Sequence, residues 1–130
     1  MKILIVEDNP TDRNALMRML SKLDVSLVCC GSANEAQGLL ESGGFDLAVV
    51  GLGLVGVGGE DFTSIVSCDL VLISGCNKHL LDVSRRLGSA VVRKDECGYQ
   101  LLVSRVRSTL QLADSKYRAA RLEKLHEGVL

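Results

Sequence analysis

The sequence predicts an α/β domain of the doubly wound kind, a mostly parallel sheet of five strands alternating with five helices. Three observations carry that prediction. Five short runs are apolar almost throughout, as strands covered on both faces must be. Between them lie segments with helical spacing or helix-start signals. The chain has 130 residues, 47% of them hydrophobic and 24% charged, which suits one compact domain with a real core.

Lys2–Val6 is the first buried strand. It runs into Glu7-Asp8-Asn9-Pro10, where Asn9 can cap a helix and Pro10 fits its first position. Ala15, Leu16, Met19, Leu20 and Leu23 then recur at helical spacing. Ser26–Cys30 is the second strand. Ser32 can cap the second helix, whose apolar stripe is Ala33, Ala36, Leu39 and Leu40, and Gly43-Gly44 stops it. Phe45–Val50 is the third strand, followed by a glycine-rich loop from Gly51 to Gly59 and a short helix over Glu60–Ser67. Leu70–Ile73 is the fourth strand, Lys78–Leu87 the fourth helix and Ala90–Arg93 the fifth strand. A long final helix starts near Tyr99. Right-handed crossovers between such elements give the doubly wound sheet.

Composition excludes several functions. The net charge is −1, so no global field draws nucleic acid or anionic lipid. With no Trp, two Tyr and two Phe there are too few rings for a base-stacking platform. The apolar start is too short for a signal peptide or a membrane span. Of five cysteines, Cys29, Cys30, Cys68 and Cys76 read as small core hydrophobes and Cys97 as a loop residue. No pair has C-x-x-C spacing, so neither zinc nor a disulfide framework is indicated, and a reducing cytosol is the expected compartment.

In an open parallel sheet, functional groups gather just past the carboxyl ends of the strands. That rule singles out Glu7 and Asp8, Gly51, Ser74 and Lys94. Adjacent carboxylates repel, and a hard cation relieves the repulsion, although two solvated loop acids beside a helix N-terminus would look the same. Ser74 and Lys94 could equally be a strand-end hydroxyl bonding local backbone and a surface lysine.

The run Ile3-Leu4-Ile5-Val6-Glu7-Asp8-Asn9, with Ser74 and Lys94 at later strand ends, resembles the receiver domains of bacterial two-component response regulators over residues 1 to about 112. The resemblance implies a flavodoxin-like fold with strand order 2-1-3-4-5 and a cytoplasmic, non-enzymatic phosphorelay signalling module. It implies Mg2+ held by the acidic pair and a backbone carbonyl, here Glu7, Asp8 and Gly53. It also implies a phosphoryl group on an aspartate ending the third strand, contacted by Ser74 and Lys94. That aspartate is replaced by Gly51, which can neither accept a phosphoryl group nor ligate a metal. The family's following proline and second aspartate are Val55 and Gly58, and Asp95 replaces the proline usual after the lysine. Asp46, at the far end of its strand, and Asp61, beyond the loop, are badly placed to substitute. The expected protein is therefore a pseudo-receiver without catalytic residues, acting by protein–protein contact and with at most a weak Mg2+ site. Lys94 is expected to turn toward Asp8, because opposite charges in a dry cleft should pair.

Two other readings compete. Gly51-Leu52-Gly53-Leu54-Val55-Gly56 matches G-x-G-x-x-G, so the Gly51–Gly59 loop could bind a nucleotide or another small ligand. The dinucleotide motif, however, normally follows the first strand and opens a helix directly. The final helix carries Leu102, Val106, Leu110, Ala113, Tyr117 and Ala120 at three- and four-residue steps. Its first part should pack on the sheet. Residues 113–130 form an extension whose seam, Leu110, Ala113, Tyr117 and Ala120, could join a second copy. It could also connect to the output domain of a larger signalling enzyme such as a diguanylate cyclase or histidine kinase. A homodimer through the fourth helix, fifth strand and fifth helix is a further expectation. His79 and His126 read as solvated surface residues.

Overall fold

The computed structural model describes residues 1–51, 68–75 and 90–127, with residues 90, 91 and 113–127 described by their backbone alone. Strands β1 (Lys2–Val6), β2 (Ser26–Cys30), β3 (Leu47–Gly51), β4 (Asp69–Ser74) and β5 (Ala90–Arg93) form one parallel sheet in the order β2-β1-β3-β4-β5. The order is the one expected. The register pairs Val6 with Cys30 on one side and with Val50 on the other, and continues through Gly51 with Ile73 and Ser74 with Arg93. All carboxyl ends therefore open on one edge.

Because side chains alternate across a strand, the apolar strands feed two separate cores. Ile3, Ile5, Leu47, Val49, Val71, Ile73 and Val92 pack on one face with Leu16 and Leu20 of helix α1 (Pro10–Leu20). Leu102 and Val106 of helix α3 (Glu96–Glu127) complete that core. Leu4, Val6, Cys30, Ala48, Val50 and Leu72 pack on the other face with Ala36 of helix α2 (Ala33–Glu41).

The helix signals act as their chemistry requires. Asn9 caps α1 by accepting from the backbone N–H groups of Thr11 (2.9 Å) and Asp12 (3.2 Å), and Pro10 opens the helix. Ser32 caps α2 by accepting from Glu35 N–H at 3.2 Å. Gly43 and Gly44, at φ +76° and +88°, end it in the left-handed region.

Five expectations need correction. The third strand begins at Leu47 rather than Phe45. Asp46 is an exposed bracket to β1, accepting from Lys2 N–H at 2.8 Å and returning its own N–H to Lys2 O at 2.8 Å. The fourth strand extends one residue further at each end than Leu70–Ile73. The last helix begins at Glu96 because Asp95 caps it: its Oδ1 accepts from Gly98 N–H at 2.8 Å and its carbonyl from Tyr99 N–H at 2.9 Å. Cys97 is therefore an exposed first-turn residue and not part of a loop, while Gly98 is buried where any Cβ would collide with the Arg93 carbonyl. Of the four cysteines expected inside, Cys30 is buried and Cys68 partly so. Cys29 is exposed on the edge strand β2, although Leu27 on the same side of that strand packs partly against the first core.

The helices expected over 60–67 and 78–87, the loop residues 52–59, Cys76 and His79 lie outside the described residues, as does the His126 side chain. No described helix is long and apolar enough to cross a membrane.

Candidate functional site

The site is built from the end of β1 outward. Glu7 N–H donates to Cys30 O at 3.1 Å, one rung beyond the β1–β2 ladder, so the residue is held as an extension of the strand. Its side chain is completely buried, while that of its neighbour Asp8 is exposed. Only the first is buried, and the Asp8 carboxyl still interacts with it, adding to the upward push on the Glu7 carboxyl. Glu7 Oε1 accepts from Asn9 N–H at 3.2 Å, and the Glu7 carbonyl accepts from Arg13 Nη1 at 3.1 Å.

Gly51 explains where the buried carboxylate goes. Val6 and Val50 are register partners, so Glu7 and Gly51 are adjacent one step further on. Gly51 is itself buried and offers no side chain. A Cβ built there would lie 3.0 Å from Glu7 Cδ, 3.2 Å from Oε1 and closer still to Oε2. The Glu7 carboxylate thus lies over Gly51, in the space that a larger residue at the end of β3 would fill.

Lys94 closes the group. Its N–H donates to Ser74 O at 2.9 Å, which carries the β4–β5 ladder past Arg93 and fixes the lysine backbone at the sheet mouth. Its Nζ lies 3.0 Å from Glu7 Oε2 and donates to Asp12 Oδ2 at 3.2 Å. The contact with Glu7 is an ion pair without hydrogen-bond alignment. The lysine side chain is 16% exposed. The expected pairing of Lys94 with Asp8 is therefore replaced by pairing with Glu7 and Asp12. Asp8 turns to solvent, whereas α1, started by the Asn9 cap, brings Asp12 round to the ammonium. Ser74 is buried at 4% exposure beside the same edge.

The electrostatics follow from one cation shared by two acids. Burial pushes the Glu7 carboxyl above its ordinary value, and the Lys94 ammonium and the Asn9 N–H only partly offset it. Burial alone would lower Lys94, but the Glu7 and Asp12 carboxylates outweigh it and hold the ammonium above the ordinary lysine range. Tyr99, in the first turn of α3 against the same apolar face, is raised by burial and then by the charge of Asp12.

Four of the expected residues, Glu7, Gly51, Ser74 and Lys94, thus meet at one edge, and Asp8 stands beside them facing out. Asp12 was not anticipated. Its only sequence signal is its place as an acid in the first turn of a helix that starts at the sheet mouth. Gly53 lies outside the described residues. Among the described residues no three His, Cys, Asp or Glu side chains gather to hold a metal. Glu7 is committed to Lys94, so the described donor set does not fit Mg2+. At the other end of the chain, Leu110 packs partly buried against the first core, while the side chains of Ala113, Tyr117 and Ala120 lie outside the described residues.

This is the fold of response-regulator receiver domains. No protein-family model matches the chain, and no curated protein matches it in sequence. Solved structures do. A response regulator receiver protein from Burkholderia phymatum shares 17% identity at a TM-score of 0.72, over 85% of this chain and 94% of that one. The response regulator TrrA from Thermotoga maritima, in complex with Mg2+–BeF, shares 21% identity at 0.68, over 82% and 96%. The N-terminal domain of a three-domain response regulator/sensory box/GGDEF protein from Carboxydothermus hydrogenoformans shares 21% identity at 0.68, over 89% and 98%.

Proposed function

We propose that this domain is a pseudo-receiver: a module of a bacterial, cytoplasmic two-component pathway that signals by binding a protein partner, without phosphorylation and without a resident Mg2+. One observation carries the reading. The end of β3 holds Gly51 instead of an acceptor carboxylate, and Glu7, paired with Lys94, fills the space above it. Phosphoryl transfer at this edge needs an acceptor oxygen and a cation to meet the incoming charge. The first is absent from Gly51, and the Lys94 ammonium is already shared by two carboxylates.

Residues 1–112 constitute the receiver-like unit and residues 113–130 an extension. The extension supports a second reading, in which the domain is the N-terminal regulatory part of a larger signalling enzyme. The observation favouring it is that α3 runs unbroken from Glu96 to Glu127, 32 residues. Incubation with acetyl phosphate or a phosphorylated histidine kinase tests the primary reading by intact mass. The expected outcome is an unmodified chain, and a hydroxylamine-labile phosphoryl adduct would refute it.

A further inference from the structure

We infer that the Glu7 carboxylate stands in, from β1, for a carboxylate that β3 would otherwise supply at position 51, so that the anion holding Lys94 is exchangeable between the two strands. The inference rests on the pseudo-receiver reading and says what has taken the acceptor's place.

Three observations support it. The first is position. Glu7 and Gly51 are neighbours on adjacent parallel strands, and the carboxylate carbon of one lies 3.0 Å from the Cβ position of the other. Strands of a sheet are about 4.8 Å apart. A glutamate can span that gap, and it can settle there only if the neighbouring residue has no side chain.

The second is commitment. Glu7 is fully buried, its Oε1 accepting from Asn9 N–H and its Oε2 in an ion pair with Lys94 at 3.0 Å. A flexible acid with an exposed neighbour such as Asp8 would turn outward unless something inside held it. The third is the direction of the clash. What a Cβ at position 51 would meet is the end of a flexible side chain and not backbone. A larger residue there displaces the carboxylate and breaks its pairing, leaving the strand in place. An aspartate there would displace it and also replace it.

Glu7 is therefore a positioning residue for Lys94, and the place of the missing acceptor is filled by the protein's own anion. The consequence for signalling is a domain held permanently in one charge state at this edge, with Lys94 turned inward.

The test is a carboxylate exchange in the full chain, comparing wild type, Glu7→Ala, Gly51→Asp and Glu7→Ala/Gly51→Asp. Two quantities are read: the rate at which acetic anhydride modifies Lys94, followed by peptide mass spectrometry, and the urea midpoint. Glu7→Ala is expected to raise Lys94 modification severalfold and lower the midpoint. Adding Gly51→Asp to it is expected to bring the rate back to within about twofold of wild type and to recover most of the midpoint. Should Glu7→Ala fail to fold, a folded double variant with protected Lys94 supports the exchange. A double variant no more stable than Glu7→Ala, or one whose Lys94 stays reactive, overturns it. Phosphorylation of the wild-type chain would overturn the functional reading while leaving the exchange result to stand on its own.

Discussion

Glu7 is an acid with no exposed surface, and its neighbour at the end of β3 has no side chain. Each condition requires the other. Gly51→Ala is expected to push the carboxylate off Lys94 and cost about 1–3 kcal/mol of stability, as removing one partner of a buried polar contact does. In the Glu7→Ala background the same Gly51→Ala change is expected to be neutral or slightly stabilising, because the collision is gone and glycine's extra backbone freedom with it. Additive urea midpoints in the four-member cycle would contradict the coupling. Lys94 gives a second outcome. Its folded value is raised, so its contribution is complete below the ordinary lysine range and lost as pH rises through that raised value, above about 10.5. Urea midpoints between pH 9 and pH 12 are expected to fall, and Lys94→Met to lose the part of that fall that belongs to the lysine. At this scale the sequence was legible in part. Strand-end positions led to Glu7, Gly51, Ser74 and Lys94, which the structure brings to one edge of the sheet. Which of two adjacent acids turns inward was not legible, because that depends on the phase of the strand at its last residue. Asp12 was invisible because its role comes from the direction in which α1 leaves the sheet.

At the scale of elements, capping chemistry decides the boundaries. Asn9 satisfies two backbone N–H groups of α1 and also places its own N–H on Glu7. Asn9→Ala is expected to cost about 1 kcal/mol through the lost cap, read by chemical denaturation. Asp95 does the same for α3, although in sequence it was read only as a departure from proline. The sequence expectation of a start near Tyr99 follows the apolar residues, whereas the cap at Asp95 lies four residues earlier. Ser26–Cys30 matches its strand residue for residue. β3 was misplaced toward Phe45 because Phe45 is apolar, yet its ring packs against the Lys2 ammonium, 4.5 Å from the centroid, before the strand begins.

For the molecule as a whole, the two cores are separated by the sheet, and among the described residues α3 contributes to the first of them. A 32-residue helix is about 48 Å long, whereas a five-residue strand spans about 17 Å. A chain ending at Leu112 is therefore expected to keep the wild-type urea midpoint, measured by circular dichroism, since Leu102, Val106 and Leu110 remain. A lowered midpoint would place the extension inside the folding unit. The order of the described elements and the strand order were legible, because apolar periodicity and crossover handedness fix them. What the edge can do depends on side-chain direction over a few ångströms, and there the structure was needed. The most direct measurement of that capability is a titration of the wild-type domain with Mg2+ and beryllofluoride, followed by the backbone amide resonances of Glu7, Gly51, Ser74 and Lys94. With Lys94 held by Glu7 and no carboxylate at Gly51, these resonances are expected to stay in place at millimolar ligand. Saturable shifts confined to that edge would show an open phosphoryl site and contradict the account.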